Sequence, residues 1–67
     1  MTVAKVIELS SSSSNSIEDA VQQGLKKVAQ TVKNVRGAWV NEIKVDTAAD
    51  GSVLAWRVNM RVSFVVE

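Results

Sequence analysis

The sequence predicts an α+β fold of order β-α-β-β, in which three strands form one antiparallel sheet beside a single helix. Three patterns predict it: a β-branched opening segment, apolar residues spaced by three and four from Ser16 onward, and strict alternation of apolar and polar residues toward the end. With no internal repeat and no linker-like segment, residues 1–67 are expected to form a single domain.

The first strand is predicted over Val3–Leu9, which is short and rich in β-branched side chains. The serine-rich segment 10–16 follows it. Serine and asparagine side chains compete for local backbone hydrogen bonds, so this segment is predicted to be a loop.

The helix is predicted from Ser16 to about Val35, a length of roughly 30 Å at 1.5 Å per residue. Asn15 or Ser16 can cap its first turn, and Gly37 can stop it. Its apolar stripe consists of Ile17, Val21, Leu25, Val28, Val32 and Val35.

The segment after Gly37 is predicted to be a β-hairpin whose turn lies at Asp50-Gly51. Its first strand has no clean apolar face, because Trp39 and Ile43 share one parity while Val40 shares the other with charged residues. A bulge or an interface would explain this mixture.

The last strand, within residues 52–67, alternates most regularly, with Trp56 on its apolar, core-forming side and Arg57 and Arg61 on its polar side. A right-handed crossover between the first two strands leaves room for this strand between them, antiparallel to both. The predicted sheet order is therefore first, third, second.

Self-association is expected from the length of the chain. A chain of 67 residues buries only about 60% of the surface that its unfolded form exposes. One helix covers one face of three strands, so copies of the chain are expected to cover the rest.

Composition excludes several classes of function. The chain has no cysteine and no histidine, which excludes disulfides, cysteine nucleophiles and Ser-His-Asp triads. Its net charge of +1 is too small to favour nucleic acid as a partner. No apolar run reaches the length of a membrane span, and no pattern of catalytic groups is visible, so we expect a cytoplasmic protein that is not an enzyme.

Four segments together make the chain resemble the dodecin family of small flavin-binding proteins: KVIEL at 5–9, SIEDAV at 16–21, WVNEI at 39–43 and WRVNMRVSFVVE at 56–67. The resemblance implies a sheet that curls around the helix and assembly into a hollow homododecamer. In flavin-binding members, a tryptophan just after the helix stacks on the flavin ring and a glutamine of the last strand hydrogen-bonds to it.

The sequence departs from the family at both of these positions. Gly37 falls where the family has the stacking tryptophan, and Arg57 falls where it has the glutamine. Trp39, two residues after Gly37, can reach the same site because residues two apart on a strand share a face. Glu42 and Lys44 match positions where some members keep an acidic and a basic residue near the flavin. The expected cofactor-binding residues are thus Gly37, Trp39, Glu42, Lys44 and Arg57, with no metal ligand among them.

Two functions remain open from the sequence. The first is storage of a flavin, riboflavin or FMN, or of a similar planar anionic small molecule, by a homododecameric flavoprotein. The second is a structural shell of the same family that has lost flavin binding and binds ions such as calcium, or another small anion. The glycine at position 37 and the arginine at position 57 favour the second, whereas the aromatic side chain of Trp39 favours the first.

Overall fold

The computed structural model describes residues 3–66 and has three strands and one helix in the predicted order. Strand β1 spans Val3–Ser13, helix α1 spans Ile17–Ala29, β2 spans Val35–Thr47 and β3 spans Val53–Val66. Strand β3 lies between β1 and β2 and runs antiparallel to both. The β-α-β-β fold and the sheet order are therefore confirmed. Residue 67, at the end of the predicted last strand, lies outside the described residues.

The core lies between the helix and the apolar side of β3. Val58, Met60 and Val62 are buried there together with Ala20 of the helix. We call this side of the sheet the helix face. The opposite side, which carries Arg57, Asn59, Arg61 and Ser63 of β3, is the open face. The partly buried residues that pack on the core are Ile7, Leu9, Ile17, Val21, Leu25, Val28 and Val35.

Trp56 is not a core residue of this chain, so that prediction is wrong. It lies on the helix face, but it is only half-buried and is not in the group that packs on the core of this chain. Its partner on β1 is Ser13 and its partner on β2 is Val45. The indole is thus at the end of the sheet, beyond the main apolar cluster.

The helix starts where predicted and ends earlier than predicted. Ser16 is the N-cap, and its hydroxyl accepts a hydrogen bond from the backbone N–H of Asp19 at 3.0 Å. The helix ends at Ala29 rather than near Val35, which shortens it to about 20 Å. The β-branched Thr31 and Val32 follow this end, and Asn34 takes a positive φ of 62°. Val35 and Gly37 consequently belong to β2, so Gly37 does not terminate the helix.

Strand β1 is longer than predicted, because Ser10–Ser13 continue it instead of forming a loop. These serines pair in register with Trp56–Asn59 of β3, which supplies the backbone partners that local sequence preference does not reveal. The hydroxyl of Ser10 also donates to Oδ1 of Asn59 at 3.1 Å. Pairing with the central strand therefore overrides the turn preference of serine.

A bulge explains the mixed pattern of β2. The pairing with β3 shifts by one residue between Val40 and Glu42, so Asn41 has no partner in the register. Before the shift Val40 pairs with Met60, and after it Ile43 pairs with Val58. Both therefore lie on the helix face despite their opposite parity. The same shift places Trp39 and Glu42 together on the open face.

The hairpin turn is as predicted. Gly51 has a φ of 91°, a conformation that glycine adopts without steric cost. Oδ1 of Asp50 accepts hydrogen bonds from the backbone N–H and the hydroxyl of Ser52, at 3.0 and 2.6 Å. This local network joins β2 to β3 and fixes their register.

The chain is elongated and leaves apolar surface uncovered. Its radius of gyration is 13.9 Å, against about 11 Å for a compact chain of this length. The helix packs on β1 and β3, while Val40, Ile43 and Val45 on the helix face of β2 remain 41%, 56% and 39% exposed. Leu54, at the end of the hairpin, is 59% exposed.

Gly24 is where the helix comes closest to the sheet. A Cβ atom at this position would lie 2.8 Å from Cε of Met60, 3.0 Å from Cβ of Ser11 and 3.3 Å from Cδ1 of Leu9. The methionine tip can move, but the Ser11 Cβ is fixed to the backbone of β1. The absence of a side chain at Gly24 therefore sets the distance between the two layers.

Gly24→Ala is expected to destabilise the protein by about 1 to 2 kcal/mol, because overpacking outweighs the gain in helix propensity of about 1 kcal/mol. Urea denaturation at one fixed protein concentration measures this change. Gln22→Ala, at an exposed position of the same helix, is the matched control and should be nearly neutral. An increase in stability for Gly24→Ala would contradict the close contact.

Ser13 connects the end of β1 to the first turn of the helix. Its buried hydroxyl donates to Oδ2 of Asp19 and accepts from the backbone N–H of Asn15 at 2.9 Å. The hydrogen bond from Ser13 is the main reason that the pKa of Asp19 lies below its ordinary value. A carboxylate with a lowered folded-state pKa contributes stability above its unfolded pKa of about 3.9, and that stability is lost as the pH falls.

Ser13→Ala is expected to raise the pKa of Asp19 toward its ordinary value and to flatten the loss of stability between about pH 5 and pH 3. The denaturation midpoint measured across this range, with a carboxyl-carbon NMR titration of Asp19, checks both effects. Ser14→Ala, at an exposed position of the same connection, is the control. An unchanged pKa of Asp19 in Ser13→Ala would show that the hydrogen bond from Ser13 does not lower it.

Candidate functional site on the open face

The open face is organised in rows that cross the three strands at right angles. The Trp39 row consists of Glu8, Arg61 and Trp39, which are partners in the register of β1, β3 and β2. The Asn59 row consists of Ser10, Asn59 and Glu42, and the Lys44 row of Ser12, Arg57 and Lys44. Side chains in one row lie about 5 Å from their neighbours at the Cβ atoms.

Trp39 presents its indole to solvent on this face and is 62% exposed. It lines an open groove of about 610 Å³ together with Val6, Asn41 and Arg61, which we call the Trp39 groove. This volume is in the range of small-molecule sites, about 300 to 1,000 Å³. An exposed aromatic face beside a guanidinium can stack on a planar ring and donate hydrogen bonds to it.

Gly37 lies on the same face as Trp39 and leaves open space beside it. Gly37 pairs with Ser63, whose hydroxyl donates to the carbonyl oxygen of Gly37 at 3.2 Å. A Cβ atom at Gly37 would meet only Oγ of Ser63, at 3.9 Å, which is an ordinary contact. The backbone at Gly37 therefore forms a flat part of the surface on which a ring, or a larger side chain, has room.

Arg57, Glu42 and Lys44 line a second depression, of about 210 Å³, which we call the Lys44 depression. Ser10, Ser11, Ser12, Val58 and Asn59 complete its lining. Nε of Arg57 donates to Oδ2 of Asp46 at 2.6 Å, next to this depression. The depression thus contains two cations and one carboxylate and has serine hydroxyls along one side.

The ion pair between Arg57 and Asp46 also sets the protonation of the acid. The hydrogen bond from Arg57 is the largest reason that the pKa of Asp46 lies below its ordinary value, and the positive charges of Arg57 and Lys44 act in the same direction. Both side chains are partly exposed, at 58% for Arg57 and 33% for Asp46, so the pair contributes little to stability. Asp46 is a carboxylate at neutral pH.

Asn59 lies between the Trp39 groove and the Lys44 depression and forms hydrogen bonds with the side chains around it. Its amide nitrogen donates to Oε2 of Glu8 at 3.2 Å and to Oδ1 of Asn41 at 3.3 Å, and its amide oxygen accepts from Ser10. Nε of Arg61 lies 3.7 Å from the same Glu8 oxygen. These bonds span the sheet from edge to edge and restrict the side chains between the groove and the depression.

All five residues predicted for the site lie on the open face, but one chain does not bring them into one pocket. Trp39 is the register partner of Arg61, whereas Arg57 lies four residues along β3, about 13 Å away. Glu42 and Lys44 are on the side of Arg57. A ligand that contacts both Trp39 and Arg57 must span this distance or bind between two chains.

The sequence analysis does not predict the residues that complete the lining of the Trp39 groove and the Lys44 depression. Arg61, which the sequence analysis places only on the polar side of the last strand, lines the Trp39 groove. Ser10 and Ser12 were assigned to a loop, yet they lie beside Asn59 and Arg57. Continuing the two-residue alternation of β1 from Leu9 into the serines places Ser10 and Ser12 on the open face.

The described residues also bear on metal binding and on membrane spanning. Within residues 3–66, no group of three or more aspartate, glutamate, histidine or cysteine side chains is arranged to hold a metal ion. The helix in this part of the chain is too short and too polar to cross a membrane.

Comparison with known structures shows close similarity to dodecins. A variant of the Thermus thermophilus dodecin matches with a TM-score of 0.92 and 28% identity, covering 100% of this chain and 98% of that chain. A calcium dodecin from Mycobacterium tuberculosis, which has a calcium-binding site, matches with a TM-score of 0.81 and 28% identity, covering 97% and 91%. The dodecin from Streptomyces davaonensis has a TM-score of 0.90 at 24% identity, covering 98% and 96%; at that identity it supports the fold alone.

Sequence comparison supports the same relationship. No curated protein matches the chain significantly. The family model Dodecin, in contrast, matches residues 3–67, which is nearly the whole chain. Its match agrees with the β-α-β-β order, the sheet in which β3 is central and the helix packed on one face. The chain therefore belongs to the dodecin family.

Proposed function

We propose that this protein is a non-catalytic storage protein that assembles as a homododecamer and binds a flavin, riboflavin or FMN, or a similar planar anionic molecule. The observation that carries this proposal is the exposed indole of Trp39, which lies on the same face as the open backbone of Gly37 and beside the guanidinium of Arg61. An exposed indole face is available as a stacking surface for a planar ring.

The residues present fit a planar ring. The Trp39 groove offers an aromatic wall, the methyl groups of Val6 and the guanidinium of Arg61. Gly37 and Ser63 add a flat surface with room above it. In this proposal, Trp39 stacks on the ring and excludes water from one side, while Arg57, Glu42 and Lys44 contact its polar groups. A flavin bound there would be shielded from solvent and oxidants, which is the chemistry that storage requires.

Assembly is supported by the surface that the helix leaves bare. The exposed valines and isoleucine on the helix face of β2 form an apolar strip with Leu54 that no part of the described chain covers. Burying such surface contributes about 25 cal/mol for each Å² removed from water. Copies of the same chain are the simplest cover, and they also provide a way to bring Trp39 of one copy near Arg57 of another.

A structural shell without flavin is the second candidate, and the residues at the two flavin-contacting positions favour it. The position where flavin-binding members carry the stacking tryptophan has no side chain here, and Arg57 already pairs with Asp46 at 2.6 Å. A calcium-binding dodecin is among the similar structures. In this alternative the open face binds a different small anion, or an ion lies between copies of the chain.

Riboflavin titration followed by fluorescence quenching tests flavin binding. Wild type should quench the flavin, and Trp39→Ala should weaken its binding by at least about tenfold, since aromatic stacking and burial are lost. Trp56→Phe is the matched control, because it alters the other tryptophan on the opposite face of the sheet and should keep binding.

Gly37→Trp separates the two candidate functions. The space at Gly37 accommodates a side chain, so this variant should fold and assemble normally. Absence of quenching by wild type together with strong quenching by Gly37→Trp would show that the natural protein is a shell that has lost flavin binding. Quenching by wild type that does not depend on Trp39 would contradict the assignment of Trp39.

Ile43→Lys is expected to break the assembly, because it places a charge in the apolar strip where neighbouring copies are proposed to pack. Light scattering should show a mass far below that of the homododecamer, at unchanged secondary structure by circular dichroism or with partial unfolding. Gln22→Lys, at an exposed helix position, adds the same charge and should leave the mass unchanged. An intact assembly in Ile43→Lys would show that the apolar strip is not part of the interface between copies.

A further inference from the structure

The peptide between Asp50 and Gly51, in the hairpin turn, is of the type most prone to isomerisation. Glycine has no side chain to hinder its nitrogen, so the Gly51 nitrogen can attack Cγ of Asp50. The nitrogen loses its proton, the carboxyl group loses its hydroxyl, and the two leave as water, which gives a five-membered succinimide. A second water molecule then opens either carbonyl of this ring and yields aspartate or isoaspartate, and nothing is oxidised or reduced.

The structure holds both reacting groups in other hydrogen bonds. The backbone N–H of Gly51 donates to the carbonyl oxygen of Ala48 at 3.0 Å. Oδ1 of Asp50 accepts from the backbone N–H and the hydroxyl of Ser52, at 3.0 and 2.6 Å. A further bond, from the N–H of Ala48 to the carbonyl oxygen of Ser52 at 2.9 Å, closes the loop. Formation of the succinimide therefore requires the Asp50 side chain to leave Ser52 and the Gly51 nitrogen to leave Ala48.

The same bonds keep Asp50 in its less reactive form. The hydroxyl of Ser52 is the main reason, and its backbone N–H the next, that the pKa of Asp50 lies below its ordinary value. Water is lost from the protonated acid, because a carboxylate is a poor electrophile. Asp50, Gly51 and Ser52 are all exposed, so water reaches the turn freely. Protection of this peptide therefore has to come from the hydrogen bonds rather than from burial.

An isoaspartate in place of Asp50 would lengthen the connection between β2 and β3 by one backbone atom. The loop has no slack, because Thr47 and Val53 are already register partners and Gly51 closes it with a φ of 91°. Leu54, which belongs to the exposed apolar strip, follows directly. A longer backbone would disturb both the strand pairing and the position of Leu54.

We propose that Ser52 protects the Asp50–Gly51 peptide from isomerisation to isoaspartate by fixing the Asp50 carboxylate in two hydrogen bonds. The hairpin turn is then the position at which this chain accumulates isoaspartate whenever those bonds are lost. This role goes beyond the proposed function and depends on no ligand.

Ageing of the full chain at neutral pH, followed by digestion and mass spectrometry with fragmentation that distinguishes isoaspartate from aspartate, tests this protection. Folded Ser52→Ala should form isoaspartate at position 50 about tenfold faster than wild type, the rate equivalent of one hydrogen bond to a charged group. Ser52→Thr keeps the hydroxyl and should age like wild type. Ser14→Ala, which removes an exposed serine hydroxyl elsewhere, is the control and should also age like wild type. Circular dichroism checks that each variant is folded.

Ageing in guanidinium chloride separates the effect of the turn from the intrinsic chemistry of the peptide. Denatured wild type and denatured Ser52→Ala should isomerise at similar rates, and both faster than folded wild type. Equal rates for folded wild type and folded Ser52→Ala would overturn the role of Ser52. Folded wild type that isomerises as fast as denatured wild type would overturn the protection itself, and this comparison needs no variant to fold. The peptide between Asp19 and Ala20, inside the helix, is the internal reference in every sample.

Discussion

The close packing of the helix on one half of the sheet is the constraint on which the rest of the structure depends. Gly24 brings the helix against Leu9 and Ser11 of β1 and Met60 of β3, and Ala20 completes the buried core. A 13-residue helix held that close to β1 and β3 does not reach over β2. The core of a single chain is therefore small, and the apolar residues of β2 are left exposed at its surface.

The two faces of the sheet consequently have different chemistry. The helix face is mainly apolar on β2 and β3, including the part that the helix leaves bare, and β1 adds Lys5, Ser11 and Ser13 to it. The open face carries cross-strand rows of charged and polar side chains, held by Asn59, with one exposed aromatic residue among them. In the proposed function, this division gives assembly to the helix face and ligand binding to the open face, so that a chain this short can support both.

Much of this arrangement could be predicted from the sequence, and the failures have physical causes. The alternation of β3, the cap at Ser16 and the turn at Gly51 are local signals that no tertiary contact overrides. The end of the helix was misplaced because Val32 and Val35 continue the apolar spacing of the helix although they lie beyond it. The serines of β1 were misassigned because their strand partners are more than 40 residues away in the sequence. The five predicted site residues share a face, but their division into a groove and a depression depends on where the bulge in β2 lies, and the mixed pattern of the strand indicates a bulge without giving its position.

That single extra residue also controls which side chains each face receives. Asn41 has no partner on β3, and everything beyond it in β2 is offset by one position. If Asn41 paired with Asn59 instead, Glu42 and Lys44 would turn to the helix face, and Ile43 and Val45 would turn to the open face. The extra residue thus keeps charged side chains out of the apolar strip and apolar side chains out of the charged rows. One unpaired position in the middle of a strand thereby sorts two sets of side chains that a regular strand of this sequence would mix.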